Sequence, residues 1–237
     1  MRKPKSVPAD DAVAEATRDR VAVWDIPVRV VHWWIVILLV GLITTGLAGN
    51  EWLQWHMRFG QAMLALVVFR TIWGFVGSRN ARFASFLYQP RDVVRYARTA
   101  FRRYQPHSTH NPLGGWMVVL MLGALLVQAA TGLFTTDDVL WSGPLAERVR
   151  ASTSATLSSI HRQFWWVLVA LSALHIGAVL TYLVLLKENL IGPMVHGRKR
   201  LPEGLGDPAD ASASTIKAAV LLVACGLATW YLLNVLA

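Results

Sequence analysis

The stretch that decides the fold is His161 to His175, HRQFWWVLVALSALH, an apolar run that begins and ends on histidine. The two histidines are 14 positions apart. On an α-helix that is about 21 Å of rise and about 1400° of rotation, roughly 40° short of four full turns. They therefore share one helix face at two depths. Continued to Leu186, the run is long enough to cross a hydrocarbon core, which takes about 20 mostly apolar residues. A ligand-capable side chain at that depth is expensive unless partnered, so each histidine marks a candidate site.

Working outward, four further runs reach spanning length, so that five are expected, at 30–49, 57–77, 114–134, 163–186 and 216–236. The second is the weakest, because Arg58 and Arg70 interrupt it. Composition agrees: of 237 residues 54% are hydrophobic and 16% charged, against roughly 25% charged in a soluble domain. Mean hydropathy is +0.42. A soluble enzyme is thereby disfavoured. The net charge of +9 would suggest nucleic acid in a soluble protein, but here the cations lie between the apolar runs.

Their distribution sets an expected orientation. Six Lys and Arg lie in the N-terminal tail, seven between the second and third spans and four after the fourth; four (Arg58, Arg148, Arg150, Arg162) lie on the other side. The positive-inside bias then places the N-terminus in the cytoplasm and, with five spans, the C-terminus outside. The first 29 residues read as a retained cytosolic tail, since the first apolar run comes too late and is too long for a signal peptide. Residues 30–200 read as a four-helix bundle, 201–215 as a flexible linker and 216–237 as the fifth helix. No repeat of fixed period is visible. Cys225 stands alone, so no disulfide or CxxC motif is possible within the chain, and redox chemistry needs a bound cofactor.

Two more histidines complete the pattern. The first span starts in the cytoplasm, which puts His32 near the inner surface with His175. The second starts outside, which puts His56 near the outer surface with His161. Two stacked bis-histidine sites between helices suggest two b-type haems. Zinc fits less well, because a structural site needs about four converging ligands and each level offers two. Gly46, 14 positions after His32, and Gly60, one turn after His56, are small residues where a porphyrin would lie. Gly41, Gly123, Gly132 and Gly177 are accounted for by close helix packing.

These residues resemble the bacterial cytochrome b561 family, which includes the b-type cytochrome subunits of nickel-iron hydrogenases. The likeness runs over about residues 21–200, carried by VWDIPVRVVHWW, WGFVGSRNARFASF, HNPLGGWMVVLMLGALLVQAATGLF, the His161 to His175 spacing and KENLIGPMVHGRK. It implies that the four span histidines ligate two haems, with the fourth helix giving one ligand to each. It also implies electron transfer between membrane quinone and a redox partner, a c-type cytochrome or a hydrogenase-like dehydrogenase. The fifth span lies outside the unit that the resemblance covers.

Arg70, about one turn from the inner end of the second span, is expected to meet a haem propionate or to snorkel; Arg29 and Arg58 have the same two options. His107, His110 and His196 are expected to be solvated or to cap a helix, and Cys225 to fill space. Asp137 and Asp138 are read as a solvated turn, and Trp33, Trp34, Trp165 and Trp166 as interfacial belts. The resulting expectation is an all-α integral membrane protein of the bacterial inner membrane, holding two haem b in a four-helix bundle with a fifth helix. Two rival expectations are a self-contained quinone oxidoreductase fed by a small anion such as superoxide, through Arg58 and Arg162, and a membrane anchor whose histidines only pack.

Overall fold

The computed structural model describes residues 19–99, 107–136, 141–201 and 211–235. In chain order the elements are β1 (Asp19–Ala22), α1 (Ile26–Leu47), α2 (Leu53–Val76), α3 (Phe83–Phe86), α4 (Pro90–Thr99), α5 (Pro112–Gly132), α6 (Ala151–Val184), α7 (Ile191–His196), β2 (Arg198–Leu201) and α8 (Thr215–Asn234). Among the described residues five helices, α1, α2, α5, α6 and α8, are long and apolar enough to cross a membrane. The end of the bundle where α1 begins is termed proximal, the opposite end distal.

Helix starts follow from capping chemistry. Asp25 caps α1, accepting from the Val28 N–H, and Asn111 caps α5, accepting from the Gly114 N–H, each with proline in the first turn. Ser214 caps α8 by accepting from the Lys217 N–H. The second span, weakest by sequence, is the most buried of the five. Its position explains why: α2 packs against α1, α5 and α8. Between the two histidine levels the bundle is closed by Leu38, Met63, Val67, Ala124, Leu125 and Leu168. A second cluster of Val28, Val31, Phe69, Trp73, Ala81, Ala218 and Cys225 seats α8 against α1 and α2.

Three features depart from the expected outline. Helix α6 starts at Ala151, 12 positions before the apolar run, and its 34 residues make it about 51 Å long, well beyond a hydrocarbon core of about 30 Å. The added turns are polar and invisible to hydropathy. Buried Ser154 and Ser158, one turn apart, hold them by donating to the Phe134 carbonyl at 2.7 Å and accepting from the Thr136 N–H at 3.1 Å.

Second, residues 19–29, expected within the cytosolic tail, are built onto the bundle, because β1 pairs antiparallel with β2 in the register Asp19↔Leu201 to Ala22↔Arg198. Third, this two-stranded ribbon adds a small β element, cored by Val21, Val23 and Leu201, to the expected all-α architecture.

The proximal end is organised by one carboxylate. Besides the Val28 N–H, buried Asp25 accepts from the Ser78 hydroxyl at 2.6 Å and the Trp73 indole N–H at 3.0 Å, tying the start of α1 to the end of α2. Asn80 continues the tie by donating to the Val23 carbonyl. Phe83 and Phe86 of α3 fit so closely against Gly74 and Gly115 that a Cβ at either glycine would lie 2.2 Å or 2.4 Å from the nearest atom. The WGFVGSRNARFASF segment thus closes the proximal mouth of the bundle.

Candidate functional site

Four histidines meet in two pairs. At the proximal level the rings of His32 on α1 and His175 on α6 have centroids 6.5 Å apart with planes at 60°. At the distal level those of His56 on α2 and His161 on α6 are 6.2 Å apart at 90°. Simple geometry tests these spacings. A ring nitrogen lies about 1.1 Å from its centroid and about 2.0–2.1 Å from a bound metal, so imidazoles on opposite sides of one ion place their centroids about 6.3 Å apart. Both separations are close to that value. Among the described residues no group of three or more His, Cys, Asp or Glu converges, so a tetrahedral zinc site has no ligand set.

The distal rings are each held by a backbone carbonyl. His56 Nδ1 lies 3.0 Å from the Leu42 carbonyl of α1, and His161 Nδ1 lies 2.9 Å from the Gln128 carbonyl of α5. A carbonyl can only accept, so each Nδ1 carries the proton and each Nε2 is the acceptor nitrogen; that of His161 lies 3.4 Å from the Gln128 side-chain nitrogen. A threonine stands beside each contact: Thr45 Oγ1 is 3.3 Å from His56 Nδ1, and Thr131 Oγ1 is 3.4 Å from His161 Nδ1. Gln128 adds a bond from Nε2 to the His161 carbonyl at 3.0 Å.

Glycine follows threonine in both places. A Cβ on Gly46 would lie 3.1 Å from the His56 ring, and one on Gly132 would lie 2.8 Å from the His161 ring. Gly46 therefore bears on the distal pair, and Gly132, accounted for in the sequence by helix packing, serves that pair as well. Gly60, by contrast, faces open space, with nothing within 4 Å of an added Cβ.

Sequence reasoning missed Thr45, Gln128, Thr131 and Gly132, although a signal was present. Thr-Gly-Leu occurs at 45–47 and again at 131–133, each time with the threonine 20 positions after the capping residue, Asp25 or Asn111. The α1–α2 and α5–α6 hairpins are variants of one pattern, hidden because the second carries a longer connection before its histidine.

The remaining candidates fall into place around the pairs. Arg70 is buried, with its guanidinium 5.6 Å over the Phe83 ring and Nη1 shielded and without a hydrogen-bond partner. Arg29 donates through Nη1 to the Val195 carbonyl at 2.6 Å, while its Nε is shielded and without a partner. Arg58 lies 5.1 Å over the Trp55 ring and Arg162 is exposed. Trp33 donates to the Met194 carbonyl, Trp34 and Trp166 are exposed, and Trp165 packs on Trp166. His196 accepts from the Arg198 N–H through Nδ1. Asp137 and Asp138 lie outside the described residues.

His107 and His110 are corrected from solvated to packed. The His107 ring meets Tyr96 at 5.4 Å, and the His110 ring lies 4.7 Å from Trp24 and 4.6 Å from Phe86. Burial, reinforced by the nearby Arg70 guanidinium, pushes the His110 imidazole down to about 3. Burial also raises the Tyr96 phenol, whose hydroxyl is 2.8 Å from that of Tyr182. Tyr182 in turn accepts from the Asn111 side chain at 2.6 Å.

Residues 23–197, most of the chain, match the sequence profile of prokaryotic cytochrome b561. The chain belongs to that family. This cytochrome is therefore a membrane-spanning b-type haem protein of electron transport. It is similar to three proteins described as probable Ni/Fe-hydrogenase B-type cytochrome subunits. The one from Bradyrhizobium diazoefficiens is 24% identical, with 81% of this cytochrome and 92% of the relative covered. The one from Rhizobium leguminosarum bv. viciae is 24% identical over 81% and 94%, and that of Rhodobacter capsulatus 23% identical over 80% and 85%. No solved structure matches the chain.

Proposed function

We propose that the protein holds two b haems, one between His32 and His175 and one between His56 and His161, and carries electrons across the bacterial inner membrane between the quinone pool and a redox partner. The observation that carries this reading is the pair of centroid separations, 6.5 Å and 6.2 Å, each near the spacing of two axial imidazoles. When bound, haem iron with two imidazole ligands supplies reversible one-electron chemistry and offers no open position to oxygen or peroxide.

The residues of this chain do the rest. Leu42 and Gln128 carbonyls hold the distal protons on Nδ1, which keeps His56 and His161 in the ligating tautomer. Gly46 and Gly132 let the rings stand close to α1 and α5. The apolar layer of Leu38, Met63, Val67, Ala124, Leu125 and Leu168 keeps water from passing between the levels. Arg70, a buried cation at the proximal level, meets a haem propionate. Gly60 leaves room for the porphyrin edge.

In this reading the proximal end is cytoplasmic and the C-terminus lies outside, as the excess of Lys and Arg favours. Quinone meets a haem edge near one membrane surface. The partner is a dehydrogenase subunit, as the hydrogenase-associated relatives suggest, with a c-type cytochrome as the other candidate class. The test is a pyridine haemochrome count on detergent-purified protein and on four single His→Leu variants. Two b haems per chain are expected, with H32L and H175L losing one of them and H56L and H161L the other. Loss of different haems within either pair overturns the assignment.

A further inference from the structure

Several shielded nitrogens at the proximal level have no hydrogen-bond partner. Arg70, only 7% exposed, has Nη1 out of reach of water with no hydrogen-bond partner. His110 Nδ1, on the segment leading into α5, is shielded and unpartnered in the same way, as is Arg29 Nε. Asp25 is close enough for its charge to act on Arg70, but its hydrogen bonds go to Val28, Ser78 and Trp73 and none reaches the Arg70 Nη1. Buried donors without acceptors are rare, and a desolvated guanidinium calls for an anion.

A wall of rings binds these groups into one unit. Arg70 stands over Phe83, Phe83 packs on Phe86 at 5.8 Å, Phe86 on His110 at 4.6 Å, and His110 on Trp24 at 4.7 Å. The unit sits at the level of the proximal pair: Val31, next to His32, and Phe69, next to Arg70, share one buried cluster, and the charges of Arg70, His175 and His32 all act on the His110 ring. A neutral imidazole in that position offers one N–H, which suits a carboxylate already paired with arginine.

We propose that His110 and Arg70 form the two arms of a cradle for a carboxylate, and that this carboxylate is an acid side arm of the haem held by His32 and His175. The inference rests on the haem assignment made above and adds to it a positioning residue, His110, which tunes that haem without ligating it. A carboxylate whose charge is drawn toward an N–H donor and a guanidinium stabilises ferric iron less, so the cradle holds the midpoint potential of the proximal haem above its value without these donors.

The test is redox titration of purified holoprotein, following the two haems separately. H110F keeps a ring between Trp24 and Phe86 and removes the N–H; it is expected to lower the potential of one haem, the one that H32L and H175L lack, and to leave the other in place. H110N restores a donor and is expected to return the potential toward wild type. R70Q is expected to lower the same haem, with H110F adding less in its presence than alone. A packing role for His110 predicts the reverse order, with H110F silent and H110N disruptive. Two bound haems with unchanged potentials in H110F, or a shift confined to the haem of His56 and His161, overturn the cradle. Wild-type protein without haem overturns the parent reading instead. H110L is the second donor-free variant should H110F fail to accumulate, and carries the same expectation.

Discussion

Replacing Gly132 with alanine is the sharpest probe of the distal pair. The new Cβ would lie 2.8 Å from Cε1 and 3.1 Å from Nδ1 of His161. Carbon atoms rest at about 3.5 Å, so the ring must retreat by about 0.7 Å. Its 2.9 Å bond to the Gln128 carbonyl then lengthens or breaks, and the ligating tautomer loses its anchor. The fold is not at risk, since alanine is a better helix former than glycine by up to about 1 kcal/mol. Losing an outer-shell partner typically costs a metal site about 10–100-fold in affinity, which is about 1.4–2.7 kcal/mol. In a haem-transfer assay against excess apomyoglobin, G132A is expected to release the haem proposed between His56 and His161 about 10–100-fold faster than wild type, and the haem proposed between His32 and His175 at the wild-type rate. Gly123, where an added Cβ meets nothing within 4 Å, supplies the control, and G123A is expected to keep both. Wild-type release of both haems from G132A would refute the close approach of Gly132 as a determinant of the site.

Three further outcomes are expected. D25A removes a cap and strands the buried donors of Trp73 and Ser78, a loss on the order of 3 kcal/mol, read as a lower thermal unfolding midpoint in detergent; D25N, which keeps an acceptor, should lose less. Tyr96 has a raised phenol pKa in the folded protein, so the unfolded chain releases its proton first as pH rises through about 10 and stability falls there; Y96F should show a weaker fall between pH 9 and 11 in the same measurement. G60L fills space that is open in the protein alone, and a haem count near one per chain is expected; two haems at full occupancy would place the porphyrin elsewhere.

What could be read from the chain by itself was whatever depends on distance along it. The lengths of the apolar runs fixed five spans, and the spacing of His161 and His175 fixed one helix face at two depths, because helix rise and rotation are properties of the backbone. Which histidines share a level followed from the direction of each span. The polar turns that begin α6 were not legible, since Ser154 and Ser158 read as loop until the carbonyl of Phe134 and the N–H of Thr136 are brought to them. Gly132 and Gly123 look alike in sequence; only the arrival of the His161 ring distinguishes them. His110 reads as a solvated loop residue until Trp24 and Phe86, 86 and 24 positions away, close on it. Periodicity is a local property that a sequence records directly, whereas the partner of a hydrogen bond or of a buried ring is chosen by packing between segments far apart in the chain, and that choice exists only in the folded molecule.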